Sequence, residues 1–244
     1  MTPRVLAHMA QHPRRAAAFL RACRHAERAV PIISASIGRV GSTLTWNALV
    51  RGRSRDLLGG YQPVDWRLIS DTCWDLDRYR PRKGTVCKTH DLPHGLAARH
   101  DAKIVFLHGR PSDAALSIHR CLSTEGPAWV ADHFRHMHAD GGIEDLLNRD
   151  VMRIEEQIDA WRAVRGRRIL CLGYDGLWDH VDVLSDFVGF PVVLPPRRDR
   201  ATDDLDPAIV TLARSSYARL DAKVAALPLC EIIDHPGEER PARG

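Results

Sequence analysis

The sequence predicts an α/β protein with a parallel central sheet flanked by helices. Short apolar runs without strict alternation stand at residues 30–36, 84–88, 103–107 and 168–173. Such runs suit strands buried on both faces of a parallel sheet. Helical periodicity fills the intervals at 42–50, 113–122, 151–164, 181–188 and 207–227. Strand and helix therefore alternate, which implies right-handed crossovers. The first three runs lead into small, polar or charged residues, and the carboxyl ends of such strands meet at a ligand crevice.

The elements follow in chain order. Residues 1–26 carry Arg and His but no acid. Val5, Leu6, Met9, Ala16, Phe19, Leu20 and Cys23 fall near helical spacing, which predicts an amphipathic helix over 3–28 in preference to a targeting peptide. The stretch 51–81 is irregular and rich in Trp and Arg; a substrate-side loop and a plain surface insertion both fit it. The chain from 1 to 234 reads as a single domain, and 235–244 as a flexible polar tail.

Composition narrows the function classes. The net charge of +4 suits an anionic ligand, while no Lys/Arg run with interleaved aromatics points to nucleic acid. No apolar run approaches the ~18–20 residues of a membrane span. The six cysteines form neither CxxC nor a zinc spacing, so they read as buried free thiols in a reducing, cytoplasmic setting. The sequence leaves room for a homodimer without specifying one.

The strand ending at residue 36 runs into Ile37-Gly38-Arg39-Val40-Gly41-Ser42-Thr43-Leu44 and then a helix. Bare N–H groups at a helix start, with the helix dipole, favour an anion, most often phosphate. An ordinary glycine turn capped by Ser42 is the competing reading. The triphosphate loop G-x-x-x-x-G-K-[ST] requires lysine after its second glycine; here Ser42 follows Gly41, and the cation comes earlier, at Arg39.

The second strand ends in Lys88-Thr89-His90-Asp91-Leu92-Pro93. Lys88 and His90 alternate, so both can face the crevice of Arg39 and Ser42. A histidine beside a lysine suits proton abstraction next to a stabilised anion; a histidine held by a strand-end carbonyl is the structural alternative. The third strand leads into Gly109-Arg110-Pro111-Ser112-Asp113 and Ser117. Pro111 and Asp113 suit a helix start, and Arg110 offers a fork for phosphate or carboxylate. His133, His136 and His138 invite a metal, but His138 falls off the face that the other two share. A polar helix face near an acceptor pocket is the preferred reading, and no metal is expected. Asp175 and Asp179 read as helix-start residues. The six tryptophans read as core or pocket walls.

In order and spacing these segments resemble the sulfotransferases that use 3'-phosphoadenosine 5'-phosphosulfate (PAPS). Arg39 to Leu44 is similar to the family's 5'-phosphosulfate loop, Lys88 to Pro93 to its K-T-H element, and Gly109 to Ser117 to its 3'-phosphate element R-x-P-x-D-x-x-x-S. Ile169 to Pro191 is similar to a later strand and helix of the family. The resemblance spans residues 31–191. It implies a P-loop-like fold in which PAPS is co-substrate and a small-molecule or glycan acceptor receives sulfate. It makes His90 the general base, with Lys88 and Arg39 as charge stabilisers. Arg39, Val40, Gly41, Ser42, Thr43, Leu44, Arg110 and Ser117 would hold the nucleotide. Two positions depart from the pattern. Val40 replaces a small serine, and the family arginine falls on Gly109, with Arg110 one place later. Arg197, Arg198 and Arg200 stand loosely where the family has a basic C-terminal element. A P-loop kinase of a small metabolite and a catalytically degenerate nucleotide fold are the alternatives.

Overall fold

A computed structural model describes residues 1–93, 101–197 and 205–236. Its centre is β1 (Ile32–Ser36), whose five residues are all buried. No charged side chain interrupts β1, so it can sit inside a sheet with helices on both sides. β3 (Val86–Thr89) and β4 (Lys103–His108) flank it in parallel. β2 (Ser70–Thr72) lies outside β3, and β5 (Arg167–Gly173) lies outside β4. β6 (Cys230–His235) closes the far edge antiparallel to β5, which gives the order β2-β3-β1-β4-β5-β6.

The register places Ser34 beside Lys88, Ala35 beside Thr89 and Ser36 beside Leu107. Strands β1, β3 and β4 therefore release their loops at one edge. From β1 the chain runs to β2 and β3 on one side and then crosses to β4 on the other, and this reversal of strand order opens a crevice at the carboxyl ends.

Helices close both faces: α3 (Ser42–Leu58), α4 (Trp66–Ile69), α5 (Pro111–Thr124), α6 (Pro127–His136), α7 (Ile154–Arg162) and α8 (Val181–Val188). Phe106, Trp161, Leu49 and Ile33 belong to one continuous apolar core. Arg53 is buried within it. Its guanidinium donates to the carbonyls of Arg28 and, at 2.7 Å, Val30, and lies 4.7 Å from the Phe190 ring.

Several boundaries differ from the sequence reading. The expected helix over 3–28 is two helices, α1 (Pro3–Gln11) and α2 (Pro13–Ala22). Pro13 has no N–H and disfavours helical backbone at the residue before it, and His12 takes φ −130°, ψ 61°. The span 207–227 divides into α9 (Pro207–Ser216) and α10 (Ala218–Ala225). Between them the buried Tyr217 hydroxyl donates toward the carbonyls of Leu146 and Arg149, at 2.8 and 2.6 Å. α3 runs to Leu58, and the irregular stretch holds α4 and β2. β2 and β6 are edge strands, which carry only a weak apolar pattern. No helix among the described residues is long and apolar enough to cross a membrane.

Candidate active site

The carboxyl ends of β1 and β3, with the chain around Trp74 and one face of α6, build one cleft. The connection between β1 and α3 turns through left-handed backbone: Gly38, Arg39 and Gly41 have φ of 79°, 53° and 77°. For Arg39 that conformation is sparsely populated and costs of order 1–3 kcal/mol, so the surroundings must hold it. At Gly41 a side chain is excluded twice, by φ and by the Tyr174 ring, which a Cβ would meet at 2.9 Å. Gly41 is also the N-cap of α3 and supplies no capping side chain. The first-turn amides of a 17-residue helix therefore point out without a side-chain acceptor.

Ser42 is buried, and Thr43 stands exposed at the rim. The Lys88 ammonium reaches over from β3 and donates to Thr43 Oγ1 at 2.7 Å. Burial, and then the nearby Arg39 charge, draw the Lys88 pKa down to about 8. Arg39 is turned the other way: its Nε donates to Ser117 Oγ of α5 at 2.9 Å, and its guanidinium lies 5.3 Å from the Trp129 ring.

His90 lies at the end of β3, almost closed off from solvent. Its Nδ1 is 2.9 Å from Ser36 Oγ and 3.0 Å from the Ser36 carbonyl oxygen. A carbonyl only accepts, so Nδ1 carries the proton and Nε2 is the basic nitrogen. Burial, reinforced by Lys88 and His133, holds the His90 pKa well below the ordinary histidine value. The ring is neutral at physiological pH, as a proton acceptor must be.

Arg39, Ser42, Thr43, Lys88 and His90 line one cavity of about 210 Å³. The other wall is α6. Trp129, Asp132, His133 and His136 fall at i, i+3, i+4 and i+7, which is one helix face, and all four line the cavity together with Trp74. His133 stacks on Trp129 with ring centroids 5.0 Å apart and meets His90 edge-on at 5.7 Å. Its Nε2 is buried without a partner. Burial and then the Arg39 charge push its pKa down to about 3. His138 points elsewhere, within 3.1 Å of the Trp74 carbonyl. Among the described residues no group of three His, Cys, Asp or Glu is placed to hold a metal ion.

The remaining expected residues lie around this cleft. Val40 is buried and packs over Gly109. Leu44 lines a second groove of about 460 Å³, which shares Thr43 with the first and is walled by Tyr174, Trp178 and Pro195. Arg110 is exposed at the N-cap of α5 and does not line the cleft. Arg197 is exposed, 3.4 Å from Asp175 Oδ1 and 5.7 Å from the Trp178 ring. Arg198 and Arg200 lie outside the described residues. Asp175 falls in a short 3-10 turn after β5, ahead of α8 instead of at its start. Sequence reasoning missed Asp132 and left Trp74 and Trp129 open between core and pocket wall; the structure makes both of them walls of the cleft. The helical spacing of the α6 set was the available signal; Trp74 gave none.

Larger cavities exist elsewhere. One of about 680 Å³ lies at the opposite end of the sheet, around Lys103, Arg167 and Asp234. Its charges are mixed and it contains no helix start, so it lacks the chemistry of the cleft.

No family model matches this chain, and no curated protein matches it. Among solved structures it is similar to the mouse sulfotransferase SULT7A1 complexed with PAP. The match has 15% identity and a TM-score of 0.36, and covers 86% of this chain and 73% of that one. A likeness that weak assigns no activity, so the chemistry has to come from the chain's own residues.

Proposed function

We propose that this chain is a sulfotransferase that moves a sulfuryl group from PAPS to a hydroxyl or amine of an acceptor. One observation carries the reading: a neutral buried imidazole, two cations and an uncapped helix start border a single small cleft. Each part has a role in sulfuryl transfer. That reaction resembles loose phosphoryl transfer, in which catalysis is positioning and charge stabilisation.

The amides of residues 42–44 would hold the 5'-phosphate, with Ser42 and Thr43 adding hydroxyl donors. Lys88, already on Thr43, and Arg39 would face the oxygen that bridges phosphorus and sulfur. The acceptor hydroxyl would give its proton to His90 Nε2 as its oxygen bonds to sulfur. The bridging S–O bond breaks, and adenosine 3',5'-bisphosphate leaves with the electron pair. Two cations oppose the charge that grows on the leaving oxygen. The groove beyond Thr43 would take the adenine between Leu44, Tyr174 and Trp178. Ser117, with Arg110 beyond it, would read the 3'-phosphate.

The cleft is smaller than the roughly 300–1,000 Å³ that encloses a whole drug-sized ligand. It would therefore admit only the reacting end of the acceptor. Calorimetry with adenosine 3',5'-bisphosphate and with ATP–magnesium tests the reading. Binding of the bisphosphate alone supports it, binding of ATP–magnesium alone supports a kinase, and binding of neither leaves a degenerate fold. In the same protein His90→Ala is expected to lose transfer by about 10²–10⁴-fold with bisphosphate affinity nearly unchanged.

A further inference from the structure

Trp74 comes from the irregular stretch and belongs to neither the loop nor the strand-end motifs, yet it lines the cleft and stacks on two of its histidines. Its backbone is fixed on three sides. Cys73 N–H donates to the Lys88 carbonyl at 2.9 Å, and Leu76 N–H to Asp91 Oδ2 at 2.7 Å. His138 Nε2 is 3.1 Å from the Trp74 carbonyl. Its indole stacks on His136, with centroids 4.2 Å apart and planes 16° from parallel, and on His90, at 5.3 Å and 23°.

Two stacks thus descend from one face of α6. His136 backs Trp74, which backs His90. His133 backs Trp129, which lies beside Arg39. His90 and Arg39 each lie against an indole, and each indole rests on a histidine one helical turn from the other. A histidine whose Nδ1 is committed to Ser36 can still rotate about its remaining contacts. A flat ring parallel to the imidazole removes that freedom, and it also keeps water off the ring.

We propose that Trp74 is a positioning residue for His90. The indole, clamped by His136, fixes the imidazole plane so that Nδ1–H stays on Ser36 and Nε2 faces the acceptor. This inference rests on the proposed sulfuryl transfer for its catalytic meaning, but not for its geometry.

The charged and titratable groups around His90 are Lys88 from β3 and His133, His136 and Asp132 from α6, with Arg39 across the cleft. Burial is the largest influence on the His90 proton, and Trp74 supplies part of that burial. Removing the indole admits water, so the His90 pKa rises toward its unperturbed ~6.5. The base must be unprotonated to act. The acid limb of the rate profile therefore moves to higher pH in the variant.

The test follows the His90 ring resonances by NMR from pH 4 to 8 in the wild-type chain, Trp74→Ala, Trp74→Phe and His136→Ala. No substrate is present in this experiment. Trp74→Ala is expected to raise the His90 titration midpoint and to mix the two neutral tautomers. Trp74→Phe keeps a stacked ring and is expected to stay near wild type. His136→Ala, which loosens the clamp from the half-exposed side, shifts the midpoint less but in the same direction. In transfer assays with PAPS, Trp74→Ala is expected to lose roughly 10- to 100-fold in kcat, with bisphosphate affinity retained. If Trp74→Ala does not fold, the His136→Ala titration decides alone. An unmoved His90 midpoint and tautomer in folded Trp74→Ala or His136→Ala overturns the inference. A shifted midpoint in a protein that neither binds the bisphosphate nor transfers sulfate leaves the stack standing and removes the sulfotransferase reading instead.

Discussion

Val40 and Gly109 occupy one site between them: a Cβ built on Gly109 would stand 2.9 Å from Val40 Cγ1, and Val40 itself is wholly buried. These are the two positions at which the chain departs from the PAPS-sulfotransferase pattern it resembles. They are one packing solution. A valine in the loop takes the room that a side chain at 109 would need, and the nearest arginine stands at 110. Gly109→Ala is therefore expected to cost about 1–3 kcal/mol of stability, the usual range for overpacking. Val40→Ala combined with Gly109→Ala should recover most of it. Denaturant midpoints of the four proteins measure the coupling, and simple additivity would remove the link.

Under the proposed function, the depressed Lys88 pKa should give bisphosphate binding a pH signature. The ammonium attracts an anion only while protonated, and its pKa in the free protein is about 8. Affinity should therefore hold below pH 8 and fall above it, some two units before an ordinary lysine at ~10.4. Calorimetry from pH 7 to 9.5 checks this. Lys88→Met should bind weakly and without that slope; an identical slope in the variant would assign the titration to another group.

Arg39 and Arg110 should separate by ligand. Arg39→Ala removes a charged donor from the loop and is expected to weaken adenosine 3',5'-bisphosphate and 5'-AMP alike. The loss should be on the order of 1.5–3 kcal/mol, the range for bonds to charged groups. Ser117→Ala leaves the Arg39 Nε without its 2.9 Å partner and should produce a smaller loss. Arg110→Ala should weaken the bisphosphate more than 5'-AMP. Equal losses for the two ligands would take Arg110 away from the 3'-phosphate.

His108 should make the fold acid-sensitive above the carboxylate range. It is buried with neither ring nitrogen partnered, and burial pushes its pKa down to about 4. The unfolded chain, near ~6.5, takes up the proton first. Stability is therefore complete above the unfolded value and drains away as pH falls toward 4. Between pH 7.5 and 5 this one residue accounts for about 2 kcal/mol by linkage. His133 acts with the same sign. Urea midpoints of His108→Leu should fall less over that interval than those of the wild type, and parallel curves would clear His108 of the effect.

Much of the cleft was legible because its parts are local. Gly38-Arg39-Val40-Gly41-Ser42 declares a tight turn opening a helix, and Lys88 and His90 alternate at a strand end. The α6 wall was half legible. Trp129, Asp132, His133 and His136 keep helical spacing, but spacing cannot say which cavity a face will meet. Trp74 was not legible, since no period runs through its neighbours and its place depends on Lys88, Asp91 and His138, which are remote in sequence. The breaks at His12 and Tyr217 differ in kind: a proline announces the first, while the second is tied to a buried hydroxyl bond with a distant loop.

The sequence by itself determined the four inner sheet strands and the three strand-end turns, because apolar runs, glycines and hydroxyls act through bonds a few residues long. Tertiary structure alone decided that Arg39 turns to Ser117, that Lys88 lands on Thr43, and that His90 is stacked on Trp74. Those contacts join segments 16 to 78 residues apart. Their geometry is fixed only when the sheet register and the helix packing have been set.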